Sequence, residues 1–394
     1  MKKSINDVAL GGQTVFMRVD FNVPLNAEGR ITDDTRIRAS LPSIRLALEK
    51  GARVLLASHL GRPKGKPKPA MSLKPAADRL AELLGRPVLM APDCVGPEVA
   101  NMRSGLNDGD VLMLENVRFH AEEEANDAAF SAQLAEGIDI FVNDAFGSAH
   151  RAHASTAGIT AHVKVAVSGL LMEKELRYLG GALESPTRPF VAILGGAKVS
   201  DKIGVIDNLL GKVDALLIGG AMAYTFFRAK GYATGRSLVE AEKVDMAARV
   251  MKDAESRKVP LLLPVDHVTA PEMKAGVPTK TSEAATIDAE WMGLDIGPQS
   301  ITEFAGKIRD AGTVVWNGPM GVFEIDSFAA GTIGVARAVA ASAATTIVGG
   351  GDSISAVEKA GVADEITHIS TGGGASLEFL SGDKLPGVEA LNDR

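Results

Sequence analysis

The stretch Thr345-Thr-Ile-Val-Gly-Gly-Gly-Asp-Ser353 has a second version nearby, Ile369-Ser-Thr-Gly-Gly-Gly-Ala-Ser376. Each version combines a short apolar run, three glycines and a segment that can begin a helix. Such a turn brings backbone N–H groups against a phosphate, and the helix dipole favours negative charge there. One copy alone is equally typical of a tight strand-to-helix turn that needs glycine for positive φ. The second copy, and the potential metal ligand Asp352 after the first, favour an anion-binding site.

The same pattern of strand, turn and helix recurs along the whole chain. Short apolar runs predict strands at residues 15–19, 53–57, 111–114, 138–142, 190–194, 215–218, 313–316 and 345–348. Continuous rather than alternating runs are expected when helices cover both faces of a sheet. Helical patterns lie between them, such as residues 35–50, which end at Gly51. The sequence therefore predicts an α/β fold built on parallel sheets.

Length and composition limit the possible function classes. With 394 residues, 46% of them hydrophobic, the chain is long enough for about two to three globular domains. A net charge of −7 argues against a general nucleic-acid binder, which would usually be basic. The apolar runs are too short for a membrane span, and the N-terminus lacks the core of a signal peptide. Cys94, the single cysteine, suits a reducing cytosol as a small buried residue, so we expect a cytoplasmic protein without nucleic-acid or membrane partners.

A domain boundary is predicted near the middle of the chain. Residues 170–179 have a helical pattern that ends in Gly180-Gly181, and Pro186 and Pro189 follow. Prolines and glycines of this kind are typical of links between domains. We predict two domains of similar size, one on either side of this helix.

Polar and cationic side chains follow several predicted strands in the first half of the chain. Because parallel sheets bind ligands at the carboxyl ends of their strands, these loops should converge. Together they would supply Asp20, Asn22, Arg36, His59, Arg62, Arg118, His150 and Arg151. So many fixed cations suit a small ligand with two anionic groups, whereas one such arginine alone would be interpreted as a solvated surface residue. His150 and His153 also have the spacing of a metal pair, but with Asp144 as the single plausible carboxylate this is a minor alternative.

Glycine-rich loops follow the strands of the second half. They include Gly195-Gly-Ala-Lys-Val-Ser-Asp-Lys202, Gly219-Gly-Ala221 and Asn317-Gly-Pro319, in addition to the two glycine triplets. With Lys198, Lys202 and Asp352, these loops predict a phosphorylated cofactor bound with a divalent metal. The two lysines, four residues apart, should share one face of a helix that begins here. The sequence has no P-loop, dinucleotide or serine-hydrolase motif, which argues against those classes.

Eight motifs, in order along the chain, resemble those of the phosphoglycerate kinase family. They are Asp20-Phe-Asn-Val-Pro24, His59-Leu-Gly-Arg62, Glu115-Asn-Val-Arg118, Asn143-Asp-Ala-Phe-Gly147, Gly195-Gly-Ala-Lys-Val-Ser-Asp-Lys202, Trp316-Asn-Gly-Pro-Met-Gly-Val-Phe-Glu324, Gly349-Gly-Gly-Asp-Ser353 and Ser370-Thr-Gly-Gly-Gly-Ala-Ser376. The resemblance covers essentially the whole chain. Ala221, where many members have glycine, is a small departure that affects at most the expected nucleotide preference.

The resemblance implies a hinge-bending kinase with two Rossmann-like domains, each with a parallel sheet, joined by an interdomain helix. The N-terminal domain, residues 1–169 with residues 381–394 folded back onto it, would bind 3-phosphoglycerate or 1,3-bisphosphoglycerate. Residues 170–185 would form the helix, and residues 186–380 would bind ATP or ADP with Mg2+. The resemblance further implies a cytoplasmic, monomeric enzyme of glycolysis.

The resemblance also assigns individual residues. The implied ligands of 3-phosphoglycerate are Asp20, Asn22, Arg36, His59, Arg62, Arg118 and Arg151. The implied ligands of the nucleotide are Gly196, Lys198, Lys202, Gly220, Pro319, Glu324, Gly350, Gly351, Asp352 and Ser353. Asp352 would also hold the magnesium ion of the nucleotide complex.

The implied reaction needs no general base, because the nucleophile is an ionised phosphate oxygen and the leaving group is a carboxylate. We therefore expect catalysis by positioning and charge neutralisation. Arg36 and Lys202 would neutralise the phosphoryl group in transfer, and N–H groups around Gly373 would donate to the same oxygens. Hinge closure, with the helix at residues 170–183 as one moving part, would bring the substrates together and exclude water.

Two other interpretations are compatible with parts of the sequence. A different ATP-dependent phosphotransferase with a carboxylate acceptor would have the same architecture, and a substrate panel would distinguish it. A non-catalytic binder of polyanions would use the same arginines, but the net charge of −7 weighs against it.

Overall fold

The computed structural model describes residues 2–394, which form two compact units. Unit 1 comprises Met1–Arg177 and Lys384–Arg394, and unit 2 comprises Tyr178–Asp383. Each unit contains a six-stranded sheet in which every pair of neighbouring strands is parallel. Within residues 2–394, every helix is too short or too polar to cross a membrane.

The elements of unit 1 alternate between strands and helices. They are β1 Thr14–Arg18, α1 Thr35–Glu49, β2 Arg53–Ala57, α2 Lys74–Leu84, β3 Leu89–Met90, α3 Pro97–Ser104, β4 Val111–Met113, α4 Ala121–Glu124, α5 Ala128–Ala135, β5 Ile140–Asn143, β6 Val165–Ser168 and α6 Leu170–Glu175. The strand order is β3-β4-β2-β1-β5-β6. Val15 and Met17 of β1 belong to one hydrophobic cluster and Phe16 to another. Helices cover both sheet faces, which explains why the strands are continuously apolar.

Unit 2 has the same design with additional small sheets. Its elements are α7 Gly181–Glu184, β7 Phe190–Leu194, α8 Ile203–Leu209, β8 Ala215–Ile218, α9 Met222–Ala229, β9 Ala233–Thr234, α10 Val244–Ser256, β10 Leu261–Leu262, β11 Asp266–Ala270, β12 Lys280–Glu283, β13 Thr286–Ile287, β14 Met292–Ile296, α11 Pro298–Arg309, β15 Thr313–Asn317, α12 Ala330–Ala341, β16 Thr345–Gly349, α13 Gly351–Lys359, β17 His368–Ser370 and α14 Gly374–Leu380. The main sheet has the order β10-β8-β7-β15-β16-β17.

The α/β class and the parallel sheets predicted from sequence are confirmed, and the eight predicted strands all exist. The structure adds an antiparallel sheet, β12-β11-β14, and a two-stranded pair, β13-β9, which the sequence analysis missed. Residues of β12 alternate between half-buried and exposed, so these short strands lack the continuous apolar run that marks the central ones.

The helix after Leu170 does not end at Gly180-Gly181, and that prediction is wrong. α6 is followed by a π-helical turn, Leu176–Gly180, and then directly by α7. Gly180 has φ −64° and ψ −45°, which are ordinary helical values. Glycine commonly ends a helix by adopting the left-handed conformation, which Gly180 does not adopt, and here the helix ends at Glu184, before Ser185 and Pro186.

The C-terminal residues complete the sheet edge of unit 1. Helix α15, Pro386–Glu389, lies near the end of the chain. The Asn392 amide donates to the carbonyl of Ala166 in β6 (2.9 Å), and the Lys3 amide donates to the carbonyl of Asn392 (2.8 Å). Nδ2 of Asn143, at the end of β5, donates to the carbonyl of Gly387 (3.0 Å).

Candidate active site

The loops after β1, β2 and β4 meet at the carboxyl edge of the sheet in unit 1. Arg36 Nη1 donates to Asp20 Oδ2 at 2.6 Å. Asn22 Oδ1 accepts from the Gly61 amide at 2.9 Å, and Arg118 Nη1 donates to the Gly61 carbonyl at 3.0 Å. Gly61 therefore holds Asn22 and Arg118 in place, as expected for strands whose loops converge.

His59 lies buried beside these loops in its neutral form. Arg18 Nη2 is 3.1 Å from His59 Nδ1. Because a guanidinium can only donate, Nδ1 accepts and the proton resides on Nε2, which can donate to an anion. Burial holds the pKa of His59 well below its usual value, and the positive charges of Arg18, Arg118 and Arg36 lower it further. The three guanidinium groups around one neutral imidazole form a concentrated cationic site.

Arg118 and Arg151 extend this cluster toward solvent. Burial lowers the pKa of Arg118, and repulsion from Arg151 contributes to the decrease. The nearby carboxylates offset only part of this charge, with Arg118 Nε 3.5 Å from Glu124 Oε1. Arg151 and Arg62 are both exposed, and Arg62 follows Gly61 directly in the chain. Several predicted ligands thus converge in unit 1. Arg62 is placed near them because it directly follows Gly61, which contacts Asn22 and Arg118.

A buried network behind His59 was missed by the sequence analysis. Arg18, only 1% exposed, donates from Nε to Ser155 Oγ at 2.8 Å. Ser155 Oγ donates to Glu123 Oε1 at 2.6 Å, and Glu123 is fully buried. The sequence did contain one indication of this network, an arginine at the end of the apolar strand Thr14–Arg18. A cation in a strand that helices cover on both faces is buried and therefore needs buried partners.

The predicted alternative of a metal pair at His150 and His153 gains no support. Among residues 2–394, neither histidine belongs to a group of three potential metal ligands. His153 Nδ1 lies 3.9 Å from Glu123 Oε1, and burial together with Arg118 and Arg18 lowers its pKa to about 4. A neutral His153 therefore belongs to the buried network around Arg18.

In unit 2, glycine loops after β7, β8 and β15 approach one another closely. The Gly196 amide donates to the Pro319 carbonyl at 3.0 Å, and the Gly220 amide donates to the Met320 carbonyl at 3.0 Å. A Cβ on Gly220 would lie only 2.6 Å from the backbone N of Gly196. No residue with a side chain fits there, so glycine is needed for this backbone contact. The predicted residues Gly196, Gly220 and Pro319 are brought together.

Lys202 is buried at the carboxyl ends of β15 and β16. Its Nζ donates to Asn317 Oδ1, and Asn317 Nδ2 donates to the Gly349 carbonyl at 2.9 Å. Burial lowers the pKa of Lys202 to about 8, and the negative charges of Asp201 and Asp352 limit the decrease. Asp352 is exposed in the first turn of α13, where the helix dipole adds positive potential.

The first glycine triplet is held by Ser353. Ser353 Oγ accepts from the Gly318 amide at 2.6 Å, which joins α13 to the loop after β15. Gly350 precedes the helix and Gly351 is its first residue. The amides of this turn and Lys202 therefore flank the same edge of the sheet, as the strand-turn-helix pattern predicted.

The second triplet leaves open space in front of Gly373. Gly373 has φ +54° and ψ −115°, and a Cβ at this position would have nothing within 4 Å. Ser370 Oγ accepts from the Gly372 amide at 3.3 Å and lies 2.6 Å from Ser376 Oγ. Ser370 therefore holds the turn through the Gly372 amide, and the space beside Gly373 is unfilled.

Lys198 and Lys202 do not share a helix face, and that prediction is wrong. α8 begins at Ile203, and the preceding residues form turns. Ser200 donates to the Glu240 carboxylate from its amide (3.1 Å) and its hydroxyl (2.5 Å). These tertiary hydrogen bonds satisfy the backbone without a helix and leave Lys198 exposed.

Glu324 follows a residue that contacts the C-terminal end of α13. It is exposed and follows Phe323, whose carbonyl accepts from Lys359 Nζ at 2.8 Å. Lys359 ends α13, whereas Asp352 lies in its first turn, about 10 Å away along the axis. The residue before Glu324 is therefore linked to the C-terminal end of α13, whereas Asp352 belongs to its N-terminal end.

Comparisons with known proteins agree over nearly the whole chain. A family model described as phosphoglycerate kinase matches residues 5–383. The chain is 60% identical to a phosphoglycerate kinase of Koribacter versatilis (strain Ellin345), and 57% identical to that of Chloroherpeton thalassium (strain ATCC 35110 / GB-78). The alignments cover 100% of this chain, and 100% and 99% of those proteins. The structure of phosphoglycerate kinase from Coxiella burnetii matches with a TM-score of 0.92 and 42% identity, covering 99% of this chain and 98% of that one.

Proposed function

Because the chain belongs to the phosphoglycerate kinase family, we propose that unit 1 binds 3-phosphoglycerate and unit 2 binds the nucleotide. The protein transfers a phosphoryl group reversibly between 1,3-bisphosphoglycerate and ADP, giving 3-phosphoglycerate and ATP in glycolysis. It is thus a phosphotransferase with a carboxyl group as acceptor. The assignment of the two sites rests on the charged groups of each unit.

The observation that supports the acid site is the neutral His59 surrounded by guanidinium groups. 3-Phosphoglycerate has a phosphate and a carboxylate, and forked guanidinium donors suit both. Arg118, Arg151 and Arg62 would hold the phosphate with His59 Nε2. Asp20 would accept from the substrate hydroxyl, Asn22 Nδ2 would donate to the substrate, and Arg36 would lie at the reacting end.

The nucleotide would contact the predicted residues of unit 2. The close glycine contacts of Gly196, Gly220 and Pro319 would form the surface for the base. Glu324 would accept from the ribose hydroxyls, and Lys198, Lys202, Gly350, Gly351 and Ser353 would face the phosphates. Between Asp352 and Lys359, whose Nζ donates to the carbonyl before Glu324, α13 rises by about 10 Å, a length that suits an extended nucleotide.

Asp352 fits a magnesium ion of the nucleotide complex. Its carboxylate is exposed, and carboxylate oxygen is a ligand that Mg2+ prefers. The ion would neutralise charge on the phosphates when bound.

Catalysis would then need no proton transfer by the protein. Arg36 and Lys202 would neutralise the charge on the phosphoryl oxygens in the transition state. The backbone amides around Gly373 would donate to those oxygens from a preformed turn. Asn317 holds the ammonium group of Lys202 in place, so this charge would be oriented before transfer.

Transfer also requires the bound substrates to reach each other. We propose hinge closure at residues 170–185, where α6, the π-helical turn and α7 follow one another. Small-angle scattering should show a smaller radius of gyration when both substrates are present than with either alone. An unchanged radius with both ligands bound would contradict closure.

We also propose a cytoplasmic monomer, as the sequence resemblance implies. The buried free thiol of Cys94 is compatible with a reducing compartment. Light scattering coupled to size exclusion would test the monomer, since a mass near twice 41.1 kDa would contradict it.

A coupled assay with ATP, 3-phosphoglycerate and Mg2+ tests the site assignments through two variants. Arg118→Ala should raise KM for 3-phosphoglycerate by about tenfold or more, with KM for ATP nearly unchanged. Lys198→Ala should raise KM for ATP and not that for 3-phosphoglycerate. If Arg118→Ala raised KM for ATP and Lys198→Ala raised KM for 3-phosphoglycerate, the substrate sites would have to be exchanged between the two units.

A further inference from the structure

A group of potential metal ligands lies in unit 1, outside the substrate site described above. A carboxylate oxygen of Asp93, Sγ of Cys94 and a ring nitrogen of His120 all lie within 4.8 Å of one another. It is the one such group of three among residues 2–394. Two of its members are adjacent in the chain, and the third lies on the loop between β4 and α4.

We propose that Asp93, Cys94 and His120 form a binding site for a divalent transition metal of the zinc class. Thiolate, imidazole and carboxylate are the ligands that Zn2+ and Co2+ take in proteins, whereas Mg2+ and Ca2+ prefer oxygen alone. The site is therefore chemically distinct from the Mg2+ position at Asp352. It offers a soft sulfur that the nucleotide site lacks.

The geometry is close to what such an ion requires. With bonds of about 2.0–2.3 Å in a tetrahedron, neighbouring ligand atoms would lie about 3.3–3.8 Å apart. The three ligand atoms would therefore move by about an ångström or less each to bind the ion. His120 Nε2 now lies 2.5 Å from Asp93 Oδ1, and the cation would take the place of the proton between them.

A cavity beside the group provides access and a fourth coordination position. It has a volume of about 560 Å³ and is lined by Asp93 and His120 together with the acidic Glu115 and Glu122. Cys94 is only 3% exposed and lies behind this lining. The lining also contains Lys68, but its three carboxylates outnumber this cation, so an entering cation would meet a net negative lining before the sulfur, and water would complete its coordination.

The thiol and imidazole are already held in place. Cys94 Sγ donates to the Glu115 carbonyl at 3.0 Å, and the ring of His120 stacks on Phe130 with centroids 4.9 Å apart. Burial raises the pKa of Cys94 well above its usual value, and Asp93, Glu123 and Glu115 raise it further. The cysteine is therefore a thiol without metal, and binding of the cation would release its proton.

The bound ion would also act on the neighbouring substrate loop. Glu115 and His120 lie at the two ends of the short turn that contains Arg118. A metal linking Cys94 to His120 would restrict this turn. The site would thus adjoin the substrate cluster without supplying a ligand to it.

The test uses the full chain, without a histidine tag, after chelator treatment and titration with Co2+. The expected result is one Co2+ per chain with a near-ultraviolet thiolate-to-cobalt band, reversed by Zn2+. Cys94→Ser should abolish the band, because this is the single cysteine. His120→Gln should weaken binding by at least about tenfold. His162→Gln, at an exposed histidine outside the group, is the matched control and should bind as the parent does.

The absence of a thiolate band in the parent protein would overturn the proposal. Equal affinity in His120→Gln and His162→Gln would also overturn it. Because Cys94 is buried, Cys94→Ser could fail to fold, which circular dichroism would reveal. The comparison of His120→Gln with His162→Gln then provides the test, because His120 is half-buried and does not itself belong to the hydrophobic core.

Discussion

Lys202 donates from its buried ammonium to the side-chain oxygen of Asn317, at the end of β15. Asn317 in turn donates to the Gly349 carbonyl at the end of β16 (2.9 Å). The lysine is thus oriented by a neutral amide rather than by a carboxylate. Among residues 2–394, no carboxylate lies within hydrogen-bond distance of this ammonium group. Its positive charge therefore remains available for an anionic ligand.

The pH dependence of nucleotide use should report this lysine. Since burial lowers the pKa of Lys202 to about 8, the free enzyme loses this positive charge as the pH rises through that value. We expect kcat/KM for the nucleotide to decrease above about pH 8, with initial rates at limiting nucleotide as the measurement. Lys202→Arg stays charged and should lose this decrease even at lower activity. The same alkaline decrease in both proteins would contradict the assignment.

Arg36 should matter for the chemical step, whereas its neighbour Arg38 should not. Arg36 bonds to Asp20 in the cationic cluster, while Arg38, on the same helix, is exposed and pairs at 2.8 Å with Asp34, the residue before the helix. Arg36→Ala should lower kcat by about 10²-fold or more, because a donor to the transition state is lost. Arg38→Ala should stay within about twofold, as expected for a surface ion pair. Steady-state kinetics with both substrates saturating separates the two, and an unchanged kcat in Arg36→Ala would remove it from the transition state.

Alanine variants of two glycines in unit 2 should separate the effect of backbone strain from that of a catalytic role. Gly373 and Gly361 have φ of +54° and +69°, and a Cβ on either would have nothing within 4 Å. Alanine should therefore destabilise the fold at both positions, by about 1–2 kcal/mol where the left-handed helical region is adopted, and by more at Gly373, whose ψ of −115° lies outside that region. Only Gly373→Ala should lower kcat as well, because its methyl group would enter the region proposed for the phosphoryl group. Denaturant unfolding and kcat are measured for both, and equal kcat values would argue against Gly373 as a catalytic position.

Stability should increase when the buried carboxyl of Asp144 is replaced by an amide. Burial raises its pKa to about 6, although hydrogen bonds from Ser43, Met172 and Leu171 oppose this. Between about pH 4 and 6 the native state binds more protons than the unfolded state, so the native protein loses stability as the pH rises through this window. Well above pH 6 the carboxyl group is ionised in both states, and its effect on the free energy of unfolding no longer changes with pH.

Asp144→Asn keeps an oxygen for the amides of Leu171 and Met172 and removes the buried charge. At about pH 7.5 it should stabilise the protein by roughly 1–3 kcal/mol, from the 1.36 kcal/mol that each pKa unit represents. Near pH 4 the difference should disappear. Urea unfolding at both pH values measures this, and a gain of equal size at the two would show that charge is not the cause.

Much of the site was predictable because it follows strand ends. Once the strands were identified from their apolar runs, Asp20, His59 and Arg118 had to lie at one edge of a sheet. The network of Arg18, Ser155 and Glu123 was not predictable in the same way. Its residues are 137 and 32 positions apart along the chain, and only packing reveals which buried charge meets which partner.

The errors have a common physical cause. Gly180 was expected to end a helix, and residues 198–202 were expected to form one, because local propensity favours both. In the structure Gly180 has helical dihedrals, and Ser200 is held by Glu240, which is 40 residues away. Helix propensities of ordinary residues differ by less than about 1 kcal/mol, so tertiary contacts can override them.

The sequence by itself determined the α/β class, the family and the glycine turns, because apolar periodicity and glycine placement are local properties of the chain. Only the tertiary structure decided that His59 is neutral, that Lys202 has a pKa of about 8, and that Cys94 lies beside Asp93 and His120. These properties depend on burial and on distances between side chains far apart in sequence. Desolvation and Coulomb interactions act through space, so they are defined only once the chain has folded.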